Sequence, residues 1–210
     1  MKLSVIISFL IVTSLENTSA QSAYVKLGQQ ALMDGDFKAA VVQLEKACLI
    51  DSTNSNALWM LGYSYYHSEN YKKSIAAYTK EISINPTDAT AYYYRARAKG
   101  YLGKDSQLTP ADKEKFLLGA IFDLTKAISI DPNDTHNKYY QTRGIAYREY
   151  GIFKLQTSSG HLYDKNRAIN SLRASITDLE KVLADNPGRP DISSLIDLSK
   201  QKLDEATGHH

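Results

Sequence analysis

Small residues recur at one place in the apolar stripes of this chain: Gly28, Gly62 and Ala96 stand 34 residues apart. Around each, hydrophobic positions return at intervals of three and four, the period of one face of a helix. A repeat of this length marks stacked helix pairs, each with an apolar face that only a neighbour covers. The first unit, 21–54, places Tyr24, Leu27, Gly28 and Ala31 on one helix and Ala40, Leu44 and Ala47 on the next. Asp34-Gly35-Asp36 forms the turn between them, because Gly takes the left-handed backbone that ends a helix and Asp36 caps the helix that follows. Unit two, 55–88, repeats the pattern with Leu58, Leu61, Gly62 and Tyr65, then Tyr71, Ser74 and Tyr78, and Pro86 closes it. Unit three, 89–134, carries Tyr92, Ala96, Leu102 and Gly103, then Ala120, Leu124, Ala127 and Pro132. Unit four, 137–189, carries Tyr140, Gly144, Tyr147 and Gly151, then Ser175, Leu179 and Pro187.

Two insertions fall between the first and second helices of a unit. Counted from the glycine taken as the turn, Gly103 to Ala120 is 17 residues and Gly151 to Ser175 is 24, against 5 from Gly35 to Ala40. Thr109-Pro110 is a strong helix start, so the second helix of unit three runs from about Pro110 to Ile130. Leu162, Ile169, Leu172, Ile176, Leu179 and Leu183 extend the second helix of unit four in the same way. The two long helices are expected side by side. A last helix, 191–206, capped by Asp191 and apolar at Ile192, Leu195, Ile196 and Leu203, closes the row, and 207–210 form a frayed tail.

These residues resemble the tetratricopeptide repeat family, whose unit pairs an aromatic-x-x-Leu-Gly-x-x-Tyr helix with a second helix bearing Ala, an aromatic or Leu, Ala and a terminal Pro. Leu58-x-x-Leu61-Gly62-x-x-Tyr65 through Pro86 is the best match. The resemblance implies an all-α fold, an α-solenoid of four helix hairpins with a capping helix, and a role in protein recognition. Departures are Arg95 and Arg143 in place of Leu, Glu81 in place of a small residue, and Ser52 in place of the first Pro. Arg95 and Arg143 coincide with Asp123 and Asp178 in their second helices, whereas Leu27 and Leu61 coincide with Gln43 and Ala77. Charge enters both positions or neither, which predicts bidentate pairs Arg95–Asp123 and Arg143–Asp178 across the hairpins.

The first twenty residues stand outside this scheme. Lys2, the apolar run Leu3 to Leu15 and Thr18-Ser19-Ala20 read as a cleavable export signal, 1–20, too short to span a bilayer as a helix. The expected mature chain begins near Gln21, lies in the periplasm or is secreted, and has no stable membrane insertion. The formal net charge of the full chain, +2 from 25 basic and 23 acidic residues interspersed along it, excludes the basic surface that nucleic acid requires. Cys48, the single cysteine, excludes an internal disulfide and is expected as a buried, inert thiol. His67, His136, His161, His209 and His210 have no paired ligand spacing, so no metal and no cofactor is expected. No nucleophile or acid–base motif appears, which argues against an enzyme.

The remaining chemistry is recognition. In the first helix of each unit, the positions not used for packing face the concave side of a superhelix. They are Ser22, Val25, Gln29, Leu32 and Met33; Asn56, Trp59, Tyr63, Tyr66 and His67; Thr90, Tyr93, Arg97 and Tyr101; and Lys138, Gln141, Ile145, Arg148 and Glu149. Trp, Tyr and Arg dominate the energetic centres of interfaces, and the sole Trp lies in this set. The candidate partner-binding residues are therefore Trp59, Tyr63, Tyr66, His67, Tyr93, Arg97, Tyr101, Gln141 and Arg148. A protein or peptide segment in the groove is the leading expectation, and a glycan stacked on the rings is the alternative. Val25 and Gln29 stand where relatives that clamp chaperone tails carry Lys and Asn, so that clamp does not transfer.

Overall fold

The computed structural model describes residues 19–134, 136–157 and 162–208, and among these every regular element is a helix. Most of the expected leader, with His161, Thr135 and the His209-His210 tail, lies outside the described residues. The chain divides between Pro86 and Thr87 into two compact units. The first holds α1 (19–33), α2 (Phe37–Ile50), α3 (Ser55–His67) and α4 (Tyr71–Ile84). The second holds α5 (Ala89–Gly103), α6 (Pro110–Ile130), α7 (Lys138–Thr157), α8 (Leu162–Asp185) and α9 (Pro190–Thr207). Gln21, the expected first residue of the mature chain, falls inside the first turn of α1.

Local chemistry sets the helix starts. Asp36, Asn54, Asn70, Asp88 and Thr109 each cap the helix that follows by accepting a backbone N–H from its first turn. Each such cap is worth about 1 kcal/mol. Asp191 does not cap α9, as the pattern had suggested. The helix starts one residue earlier with Pro190 in its first turn, the cap position is Arg189, and Asp191 binds the Arg189 guanidinium at 2.6 and 2.8 Å. Proline suits the first helical position because no partner for its missing N–H is needed there.

The hairpins close through a knob on the second helix seated against a small residue on the first. A Cβ added to Gly62 would lie 2.9 Å from the Tyr78 ring, and one added to Gly144 would lie 2.8 Å from Leu179 Cγ. The insertions continue the same contact. Seven residues beyond Gly144, Gly151 meets Leu172, and seven beyond Ala96, Gly103 meets Leu117. Gly103 and Gly151 are therefore packing positions and not turns. Gly103 is the last residue of α5, and α7 continues past Gly151 to Thr157. The extra residues of unit four are thus shared by α7 and α8. Because α7 lies between α6 and α8, the two long second helices do not pack side by side.

The outer ends of these helices meet instead through charge. Lys154, only 7% exposed, lies 3.4 Å from Glu114 and 2.7 Å from Asp164, and Arg167 reaches Glu114 at 3.0 Å. Tyr150 donates to Glu114 at 3.0 Å, and burial followed by that bond pushes its phenol well above the usual range. Further in, both expected ion pairs form. Arg95 reaches Asp123 at 2.9 and 2.7 Å, and Arg143 reaches Asp178 at 2.7 and 2.8 Å. Lys99 adds a third member, 2.7 Å from the fully buried Asp123 side chain, and burial lowers its ammonium pKa.

In the first unit, Ala40, Leu44, Met60, Leu61, Tyr65 and Ala77 form the core, with Val25, Leu32, Cys48 and Trp59 packed on it. Two expectations change here. Leu27, read as a packing residue, is 53% exposed, because the equivalent Leu61 is covered by Ala40 and Leu44 of the preceding hairpin and no preceding hairpin lies among the described residues. Cys48 is half-buried, and desolvation raises its thiol pKa, which disfavours the reactive thiolate.

Candidate functional site

Each unit gathers part of the expected set. In the first, Trp59, Tyr63 and His67 follow one another at intervals of four residues along α3, so their rings stand in a ladder on one face. Trp59 stacks on Tyr63 at 5.4 Å between centroids, and Tyr63 meets His67 at 4.2 Å. Phe37, the first residue of α2, completes the ladder by stacking on His67 at 4.6 Å. Sequence reasoning missed Phe37 because it looked along the first helix of each unit and not across the turn. Tyr66 flanks the ladder, edge-on to His67 at 5.1 Å, and is not a rung of it. It is 6% exposed and packs edge-on against Tyr71 at 5.8 Å, because a step of three from Tyr63 turns the side chain toward the second helix of its hairpin.

In the second unit, Tyr93, Arg97 and Tyr101 face Gln141, Ile145 and Glu149 across a groove of 320 Å³ between α5 and α7. Its floor is small and apolar: Ala96 and Gly100 from α5, Leu117, Ala120 and Leu124 from α6, and Ala146 from α7. Nothing lies within 4 Å of a Cβ built on Gly100, so this glycine opens onto the groove and leaves room above the floor. Around the rim, the Arg97 guanidinium lies 5.5 Å from the Tyr93 ring centre and 5.8 Å from that of Tyr94. The Lys104 ammonium stands over Tyr101 at 5.5 Å. Gln141 accepts a hydrogen bond from Arg189 at 3.3 Å, which ties the α7 wall to the start of α9. Arg148 is not among the lining residues; its guanidinium is 3.5 Å from Glu149.

A cluster of Ala, Gly and Leu under a rim of Tyr, Arg, Lys and Gln can exclude water from an apolar side chain while hydrogen-bonding a backbone that passes over it. The walls are held rigidly, α5 to α6 through Arg95 and Asp123, and α7 to both neighbours through Arg143, which reaches Asp178 and also donates to Thr125 at 3.2 Å. Lys104 and Thr142 also line the groove and were not expected. Lys104 follows Arg97 by seven residues, two helical turns, so its place on the same wall was readable once α5 was known to persist to Gly103. Among the described residues, no group of three or more His, Cys, Asp or Glu side chains is placed to hold a metal ion, and no helix is long and apolar enough to cross a membrane.

The tetratricopeptide repeat family matches residues 55–88, the hairpin of α3 and α4. No curated protein matches the chain in sequence. Among solved structures, the chain is similar to MamA at 18% identity and a TM-score of 0.57, over 91% of this chain and 92% of that one. It is similar to MamA from Desulfovibrio magneticus RS-1 at 13% identity and a TM-score of 0.55, over 90% and 94%. It is also similar to TTC0263, a TPR protein of Thermus thermophilus, at 15% identity and a TM-score of 0.52, over 86% and 99%. These likenesses show the fold: helix hairpins arranged as in tetratricopeptide α-solenoids.

Proposed function

We propose that this chain is an exported interaction scaffold that holds a peptide or protein segment in the groove between α5 and α7, with the Trp59–Tyr63–His67 ladder as a second contact surface. The observation that carries the reading is the groove itself, an apolar floor between rigid helices with an aromatic and cationic rim. Export is supported by Lys2, the run Leu3 to Leu15 and the small residues before Gln21. N-terminal sequencing of the protein recovered from its native compartment is expected to read from about Gln21. A chain that retains Met1 and stays in the cytosol removes the export part and leaves the groove untouched.

The groove is tested by filling it. Gly100→Leu places a side chain in the space above Ala96 and Ala120 without displacing an existing atom near its Cβ. Against a library of random peptides, the unaltered chain is expected to select binders, and Gly100→Leu is expected to weaken them at least about tenfold, as loss of a well-packed hot spot does. Equal binding by the variant would place the contact elsewhere. Selection of saccharides from a glycan array with no peptide binder would turn the reading to carbohydrate.

A further inference from the structure

We infer that the turns inserted in the last two hairpins build an outer compartment of this groove that receives an acidic side chain of the bound segment; the inference rests on the peptide-binding reading above. Beyond the first cavity lies a second of 260 Å³, walled by Lys104, Lys113, Leu117, Glu149, Phe153 and Gln156. It shares Lys104, Leu117 and Glu149 with the first, so the two are parts of one channel. Lys113, Phe153 and Gln156 belong to the segments that the uninterrupted hairpins lack. In the α3–α4 hairpin the chain has already turned by Glu69, at a φ of 59°, where α7 continues for two further turns. The insertions therefore lengthen the channel, which follows α7 from Gln141 to Gln156, about 22 Å at 1.5 Å per residue. That length takes about seven residues of extended chain.

The charge of the added part is one-sided. Its cations are Lys104 and Lys113, and its one carboxylate, Glu149, already faces the Arg148 guanidinium at 3.5 Å. The lysines this unit uses structurally, Lys99 and Lys154, each have a carboxylate at 2.7 Å. Lys104 instead lies over the Tyr101 ring, and no ion pair joins Lys104 or Lys113 to a carboxylate of the described residues. Lys104, exposed, and Lys113, half-buried, line one cavity with Leu117 and Phe153, and two cations without a carboxylate of their own attract an incoming carboxylate through charge-assisted hydrogen bonds. The fitting occupant is an extended peptide with a small apolar residue over Gly100 and an Asp or Glu toward α6.

The test uses binders selected from the random library by the full chain. The selected peptides are expected to be enriched in Asp or Glu, and changing that acid to its amide is expected to weaken binding about tenfold, the range for one hydrogen-bonded charge. Lys104→Gln with Lys113→Gln removes both charges and keeps an unbranched polar side chain of similar helix propensity at each position. In this variant the acidic and amide peptides are expected to bind alike, and the salt dependence seen with the unaltered chain is expected to vanish. Binders without acidic preference, or a preference that survives the double variant, overturn the inference and leave the groove standing. A library that yields no binder overturns both.

Discussion

Asp123→Ala is expected to destabilise the protein by about 3–5 kcal/mol, the range for removing one partner of a buried ion pair. The carboxylate is fully buried and is held by Arg95 through two bonds and by Lys99 through a third. Without it, two cations 12% and 18% exposed remain beside each other in the hairpin with no counter-charge between them. The loss does not measure what the cluster contributes, because desolvating three charges cancels much of their attraction. The chain itself contains the apolar solution: Leu61 and Ala77 hold the equivalent places in the α3–α4 hairpin, both 7% exposed. Arg95→Leu combined with Asp123→Ala copies that pair and is expected to recover most of the loss, since Lys99 can swing its ammonium to solvent. Urea unfolding followed by circular dichroism reads both variants. A single variant within about 1 kcal/mol of the parent, or a double variant no better than the single, would contradict the buried-charge account.

That comparison also shows why part of the structure was legible in the residues alone. The hairpins could be read because a small residue and its knob recur at a fixed interval, and the ion pairs because charge enters both positions of a hairpin together. Lys99 was missed although it lies one turn after Arg95 on the same face, since only pairs in the repeat register were compared. Leu27 carries the pattern of a packed residue, but its burial depends on a neighbouring hairpin and not on its own helix. The outer compartment was hidden for a further reason. Lys113, Phe153 and Gln156 lie in insertions, where the repeat offers no equivalent position from which to infer a facing wall. Tyr66 shows the finer limit, because one residue of helical phase separates a ring on the ladder from a ring in the packed hairpin.

Glycine was the most ambiguous letter, and its two roles give opposite results for one substitution. Gly100→Leu is expected to leave stability unchanged or raise it by about 0.5–1 kcal/mol, because a helical glycine facing open space contributes only backbone entropy to the unfolded chain. Gly144→Leu is expected to lower it by about 3 kcal/mol. The first added carbon already falls 2.8 Å from Leu179 Cγ and 3.2 Å from the Ser175 carbonyl oxygen. Leu179 is fully buried and cannot withdraw, and the carbonyl belongs to the backbone of α8, so the helices must separate or α7 must bend. Separation would also strain the Arg143–Asp178 pair, whose members flank this contact one residue before each partner. Both glycines stand inside helices, and only the distance to the next helix distinguishes them. Unfolding midpoints for the two variants decide the matter: a Gly144→Leu chain as stable as the parent would mean that α7 and α8 do not approach as closely as their packing shows.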